Sequence, residues 1–279
     1  MKNLIFFLVL FSSNAYCFDI YQYIKWKNYT DSNGNLISNS NQFQNYLKQQ
    51  NIKPIDVVYH NRFLTNGIPD AQKIKIIAEK ASKYPNIPIS FDIEVGDRFQ
   101  PKTVLPTIQK TLSLYHKFGG KAPVGVYGVL PQGLPRTEIV DNEKRQKFIN
   151  LNQAYETVAS QVNFLNPVIY NFNIRDFNDW KNRVDLQISE AKKYAKKYNL
   201  KIIPYFSITY ITKEKRGEKI IEPLTEQEAS KRLNYIKSKG VDGIIIWDTN
   251  IGTLADSSAP IFNSQHGSSK ALLNFSRSN

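Results

Sequence analysis

Cysteine is nearly missing from this sequence: one residue in 279, at position 17. That position falls at the end of an N-terminal leader, so the remaining chain holds none, which excludes a disulfide framework and any thiolate metal site. Histidine is scarce too, and His60, His116 and His266 show no ligand spacing. No metal or organic cofactor is therefore expected. Past the leader no apolar run approaches the roughly 20 residues that cross a bilayer, so stable membrane insertion is not expected. No Gly-rich phosphate loop follows the first strand pattern, which argues against an open dinucleotide-binding sheet, and no recognised nucleic-acid module is present. Nor does a composition shift or a Pro/Gly/Ser linker divide residues 18–279, which read as a single, monomeric domain.

Acidic residues are also in deficit, 24 against 37 basic, giving a net charge of +13, or +12 once Lys2 is removed with the leader. Such an excess attracts polyanions. Part of it sits in stretches such as Lys192-Lys193-Tyr194-Ala195-Lys196-Lys197, where a solvated helix face is the plainer reading. Residues Met1 to Cys17 have the form of a signal peptide: Lys2 supplies the charge, Leu4 to Phe11 the apolar core, and Ala15-Tyr16-Cys17 a cleavage site. Cleavage near Cys17 is favoured over lipidation because the bulky Tyr16 stands where a lipid-attachment site has a small residue. A secreted or periplasmic protein is expected.

What the chain does contain is an alternation of strand and helix patterns. Apolar, β-branched or aromatic runs occur at Phe18 to Ile24, Ile55 to Tyr59, Ile87 to Ile93, Val124 to Val129, Phe164 to Tyr170, Lys201 to Phe206 and Gly243 to Trp247. Between them the periodicity predicts helices over Ala71 to Lys83, Lys102 to Phe118, Asn142 to Gln161, Asp176 to Tyr198 and Thr225 to Lys239, with a short terminal helix over Ser268 to Phe275. Thr225 and Glu228 form a capping box, and Gly240 stops that helix. Repeated βα units imply parallel strands with right-handed crossovers. The expected fold is α/β, a distorted TIM-type barrel of about seven parallel strands.

The third strand pattern ends in Asp92-Ile93-Glu94. Alternate strand residues share a face, so the two carboxyls lie side by side at the strand's C-terminal end, where α/β barrels build their sites. Two close carboxyls do not both ionise easily, so one holds a proton and can act as a general acid, as glycosidic cleavage requires. Taken alone, the pair could equally solvate the end of a buried strand. Other strand ends carry Tyr59 and His60, Tyr127, Tyr170 and Asn171, Tyr205 and Ser207, and Trp247 and Asp248. Several aromatic rings converging on two carboxylates suit a sugar, whose apolar faces stack on rings while its hydroxyls bond to polar tips.

Along most of its length the chain resembles the hyaluronidase family of glycoside hydrolases (family 56), as a divergent, bacterial-type member. Asn66-Gly67-Ile68-Pro69 is similar to the family's G-G-I/V-P, Phe91-Asp92-Ile93-Glu94 to its D-x-E, and Gly125 to Pro131 to its G-Y-Y-x-Y/F-P. Leu165 to Tyr170 is similar to its L-x-P-S-x-Y, Ile203-Pro204-Tyr205 to its sixth-strand pattern, and Gly240 to Trp247 to its G-A-x-G-x-x-I-W. The resemblance implies a distorted seven-stranded barrel. It makes Glu94 the catalytic acid/base and Asp92 the carboxylate that orients the substrate's acetamido group. By the same resemblance Tyr127, Tyr170, Tyr205 and Trp247 line the reacting sugar's site, and the substrate's own acetamido oxygen is the nucleophile of a retaining reaction; Tyr59, from its strand-end position, is a further candidate for sugar binding. The expected partner is an N-acetylhexosamine polysaccharide, acidic in view of the charge.

There are departures. The family usually continues its D-x-E with another acid, a tryptophan and Arg-Pro, whereas Val95-Gly96-Asp97-Arg98-Phe99 stands here, and the loop from Gln132 to Asn142 is short. Substrate identity therefore stays open among hyaluronan, chondroitin and bacterial or chitin-like polymers. A chitinase-like barrel would place aspartates two and five residues before the D-x-E, where this chain has Ser90 and Ile87. A catalytically silent carbohydrate-binding surface protein is the rival from outside the enzymes, and a peptidoglycan-directed glycosidase the rival within them.

Overall fold

The computed structural model describes residues 18–133, 141–213, 219–248 and 252–279. Residues 1–17, where a leader is expected, and most of the short loop between Gln132 and Asn142 lie outside them. Seven parallel segments form the centre: β1 (Asp19–Ile24), β2 (Asp56–Tyr59, preceded by Lys53–Pro54), β3 (Ile89–Asp92), β4 (Val124–Val126), β5 (Phe164–Leu165), β6 (Tyr205–Phe206, preceded by Lys201–Ile202) and β7 (Gly243–Asp248). Lys53–Pro54 pairs with β1 and β1 with β7; β7 pairs with β6, β2 with β3, and β3 with β4. β4 and β5 are joined by a single bridge from Tyr127 to Asn166, and β5 and β6 by the Phe164–Lys201 ladder and a bridge from Val168 to Tyr205. The pairings thus run in chain order around all seven segments. The ladder is nevertheless broken into separate sheets, and the barrel is distorted.

The breaks shorten the strands expected over Val124 to Val129 and Phe164 to Tyr170 to two or three residues. Pro167 and Pro204 have no N–H to donate to a ladder, and Gly128 turns the chain out of strand geometry at φ 54°. Side chains alternate as a barrel demands. Tyr21, Val57, Ile203, Tyr205 and Ile245 face inward and pack on one another. Their neighbours Ile20, Val58, Ile202, Phe206 and Ile244 face outward into the larger core beneath the helices.

The helices form for local reasons the sequence displays. Asp70 caps α2 (Ala71–Lys83), Asp141 caps α4 (Asn142–Ala154), Asp176 caps α5 (Phe177–Tyr198), and the Thr225/Glu228 box caps α6 (Glu226–Ser238). α3 (Pro101–Lys117) starts on proline at its first position. The helix expected over Asn142 to Gln161 breaks at Tyr155 into α4 and a 3-10 turn. Four further features lie beyond the sequence expectations: α1 (Ser40–Gln49), a hairpin of Leu64–Thr65 and Ile68–Pro69, a three-stranded sheet of Asn28–Thr30, Leu36–Ser38 and Ile261–Phe262, and an antiparallel ribbon of Thr209–Lys213 and Lys219–Pro223. The terminal helix α7 (Gly267–Arg277) packs against α6. No described helix is long and apolar enough to cross a membrane.

Candidate active site

At the C-terminal ends of the strands lies a pocket of about 670 Å³. Asp92, Glu94, Tyr59, Tyr127, Tyr170, Tyr205 and Trp247, the residues singled out from sequence, all line it. The alternation of β3 explains the acid pair. Phe91 and Ile93 point into the outer core, leaving Ser90 and Asp92 on the inward face and Glu94 just beyond the strand end. Asp92 is buried, whereas Glu94 is exposed to the pocket. Burial, with the Glu94 charge adding to it, pushes the Asp92 carboxyl up to about 7, against the opposing pull of Arg98. Burial thus favours the protonated form of Asp92. The Oδ1 atom of Asp92 is buried and meets no hydrogen-bond partner among the described residues.

The walls are aromatic and mutually braced. Trp247 Nε1 donates to Tyr59 Oη at 3.1 Å. Tyr170 lies against Phe172 with ring centroids 4.4 Å apart and against Trp247 at 5.7 Å, while Tyr127 meets Tyr205 edge-on at 4.9 Å. Burial raises the phenol pKa of Tyr59 to about 12 and those of Tyr127, Tyr170 and Tyr205 above their ordinary value. These hydroxyls stay protonated and can donate to sugar oxygens. Beneath them, Ser90 donates to Asn166, and Asn166 donates to the Ile203 carbonyl at 2.8 Å, tying β3 across to β6.

Four strand-end residues on the sequence-derived roster, His60, Asn171, Ser207 and Asp248, do not line the pocket. Asp248 is buried and accepts from Ser207 Oγ at 2.8 Å, Thr209 Oγ1 at 2.6 Å and the Ile208 amide at 3.0 Å, so it staples β7 to the turn after β6. Burial lifts its carboxyl to about 6 although these bonds favour the anion. Asn171 donates through its side-chain amide to the Thr209 carbonyl at 2.8 Å, while its Oδ1 is buried without a partner among the described residues. His60 lies in a 3-10 turn outside the pocket lining.

Other lining residues escaped the sequence reading. Tyr23 sits on the inward face of β1, with the Lys25 ammonium 4.1 Å from its ring centre. The period-2 pattern from Tyr21 could have found it. Phe172, Asn173, Ile211 and Lys219 complete the rim. Ile211 and Lys219 come from the antiparallel ribbon, for which the barrel pattern gives no signal. Arg98 stands behind the wall. Its guanidinium donates to the Ile93 carbonyl, between the two acids, at 3.2 Å and to the Gly128 carbonyl at 3.1 Å, and lies 5.5 Å from the Tyr127 ring centre. Asp92 and Glu94 are the pocket's only carboxylates among the described residues. No described cluster of three or more His, Cys, Asp or Glu side chains could hold a metal ion.

No protein-family model matches the chain, and a search of curated proteins finds no significant match. Solved structures do resemble it. Bee venom hyaluronidase superposes with a TM-score of 0.57 at 12% identity, covering 83% of this chain and 91% of that one. What the two share is a fold: the distorted α/β barrel. The Bacillus cereus spore cortex-lytic enzyme SleL (14% identity, 86% and 68% coverage, TM-score 0.45) and the Chromobacterium violaceum chitinase (11%, 82% and 86%, 0.40) are more distant in shape and add nothing to that conclusion.

Proposed function

We propose that the protein is an exported glycoside hydrolase of the hyaluronidase type, cleaving a β-linked, acidic N-acetylhexosamine polysaccharide with retention of configuration. The observation that carries this reading is the acid pair itself. A buried carboxyl with an unpartnered oxygen stands beside an exposed one, in a pocket walled by sugar-sized aromatic rings.

In this reaction Glu94 gives its proton to the glycosidic oxygen as the bond from that oxygen to C1 breaks. Both acids come from one strand end, and the described pocket holds no third carboxylate across from them. A protein nucleophile would need a carboxyl about 5 Å from the acid on the other side of the bond. The substrate's acetamido oxygen takes that role, bonding to C1 and leaving a positively charged ring. Asp92 accepts the acetamido N–H on Oδ1 and balances that charge. Glu94, now a carboxylate, then takes a proton from the water that attacks C1, which reopens the ring and restores both acids. Tyr127, Tyr170 and Tyr205 line the reacting sugar's site, Trp247 forms its floor, and Tyr59 holds Trp247 in place. Lys25 and Lys219 on the rim favour an acidic sugar.

The test is to incubate the purified chain with hyaluronan, chondroitin, chitin oligomers and peptidoglycan and to assay new reducing ends. Cleavage of an acidic polymer is expected, and it should vanish in Glu94→Gln. The same rim cations would also serve a silent carbohydrate-binding protein. Binding without cleavage of any N-acetylhexosamine polymer would establish that reading instead.

A further inference from the structure

Outside the pocket, a second cavity of about 280 Å³ is lined by Phe99, Lys144, Lys147, Phe148 and Leu151. The last four stand at i, i+3, i+4 and i+7 on α4 and so share one helix face. That face pairs two ammonium groups with two apolar side chains. Phe148 is buried on Leu186 and forms the base. Lys147 has an exposed partner in Glu143 at 2.7 Å, while Lys144 makes no ion pair with a described residue. Opposite them stands Phe99, 58% exposed.

A free phenyl ring on a surface would mean little if its backbone were loose, but here the backbone is held. The Phe99 amide donates to Asp97 Oδ1 at 2.9 Å, the Asp97 amide donates to Thr103 Oγ1 at 3.0 Å, and Tyr155 Oη donates to the Arg98 carbonyl at 2.9 Å. Gly96 lets the turn close at φ 74°, where any Cβ would come within 2.9 Å of the Thr103 carbonyl. The ring is thus presented, not stranded.

The turn also links this groove to the pocket. Glu94 lines the pocket, Arg98 braces it through Ile93 and Gly128, and the next residue, Phe99, faces the groove. A polymer seated on Glu94 and leaving the pocket over this turn meets an apolar ring flanked by cations. That combination fits a chain whose sugars alternate an apolar face with an anionic group: the face stacks on Phe99 and the carboxylate or sulfate reaches Lys144 and Lys147. From this we infer that the Phe99, Lys144 and Lys147 groove is a distal subsite for an anionic polysaccharide, gripping the same strand that the pocket cleaves. The inference rests on the proposed glycosidase reading for its choice of ligand.

Its test separates the two. In a Glu94→Gln background, which binds without cleaving, chondroitin sulfate polymer and its tetrasaccharide are titrated by calorimetry at 50 and 300 mM salt, with chitohexaose and a DNA duplex as neutral and non-glycan controls. Phe99→Ala should weaken polymer binding roughly three- to tenfold, the range of one aromatic contact. The Lys144→Gln/Lys147→Gln pair should weaken it as well and flatten its salt dependence. Tetrasaccharide binding should not change. Equal polymer affinity in parent and variants, no polymer binding by the parent, or equal loss for polymer and tetrasaccharide would overturn the subsite. DNA binding lost in parallel with polymer binding would overturn its assignment to a glycan. Should the wild type cleave no glycan while these variants still lose polymer binding, the hydrolase reading falls and the groove stands. Unchanged thermal midpoints verify that the variants are folded, as expected for exposed side chains.

Discussion

Replacing Asp92 by Asn should stabilise the protein at pH 8 and leave it unchanged at pH 4. The Asp92 carboxyl is 6% exposed, and its pKa rises from 3.8 to about 7, with burial the largest cause. A carboxyl whose folded pKa lies above its unfolded one holds its proton more tightly in the folded state. Between those two values the folded protein binds more protons than the unfolded chain, so stability falls as pH rises from about 4 to about 7 and is level beyond. At about 1.4 kcal/mol per pKa unit, the full loss is ~4 kcal/mol. Water in the pocket screens the charge and softens the loss, so a gain of ~2–4 kcal/mol is expected for the neutral amide at pH 8. For a chain of this size that corresponds to roughly 4–8 °C in thermal midpoint. Unfolding followed by circular dichroism at pH 4, 6 and 8 reads it directly, with no substrate. A midpoint at pH 8 equal to or below the parent's, or a gain of the same size at pH 4, would refute the buried, proton-holding Asp92.

Glu94→Gln keeps the side chain's shape and removes the acid, so turnover of the cleaved polymer should fall by roughly 10²–10⁴ while binding persists; wild-type turnover would falsify the assignment. Activity in the wild type should decline as pH rises through about 7, where the pair gives up its last proton. Arg98→Met should move that decline to higher pH, because the Arg98 charge holds Asp92 down; Arg98→Lys keeps that charge and should restore the pH profile. An unshifted profile in Arg98→Met would show the guanidinium to be a structural staple only. Gly128→Ala places a Cβ 2.8 Å from Val168 Cγ2 and 3.0 Å from Arg98 Nη1 at φ 54°, and should cost about 2 kcal/mol in urea unfolding; a cost near zero would mean that the turn relaxes freely.

The seven strands and the face on which Asp92 lies were legible because they depend on local pattern: period-2 alternation, caps at Asp70, Asp176 and Thr225, and a polar residue at each strand's end. Strand lengths were not legible. Whether Val126 is followed by more ladder depends on its partner, and there the partner strand runs into Pro167. α1 hid in a run rich in Asn and Gln, although Asn39 caps it and Phe43, Tyr46 and Leu47 give it a buried stripe. The site showed the same division. Residues on inward strand faces could be named, whereas Ile211 and Lys219 reach the pocket on a ribbon whose placement is a tertiary fact. Asp248 misled for a related reason: a carboxylate at a strand end looks the same in sequence whether it faces a ligand or, as here, three donors of its own chain. Arg98 was seen only as a departure from a family pattern, because its two carbonyl partners belong to different strand ends.

Which carboxyl holds the proton was likewise beyond sequence, and it bears on the chemistry proposed. Side by side on one face, Asp92 and Glu94 look equivalent, but they are unequally buried, and burial favours the protonated form of Asp92. On the proposed mechanism an acetamido N–H arriving at the unpartnered Oδ1 of Asp92 gives the ionised form a charge-assisted bond. That bond lowers the cost of ionising Asp92, so on this mechanism its proton can pass to Glu94 when an N-acetylated sugar is seated. The ~4 kcal/mol that a charged Asp92 would cost the folded protein above pH 7 is thus the same free energy that keeps a proton at the site near neutrality. Asp92→Asn removes both together, and for that reason a more stable protein and a slower enzyme are one prediction, a trade expected wherever a site is built on a buried acid.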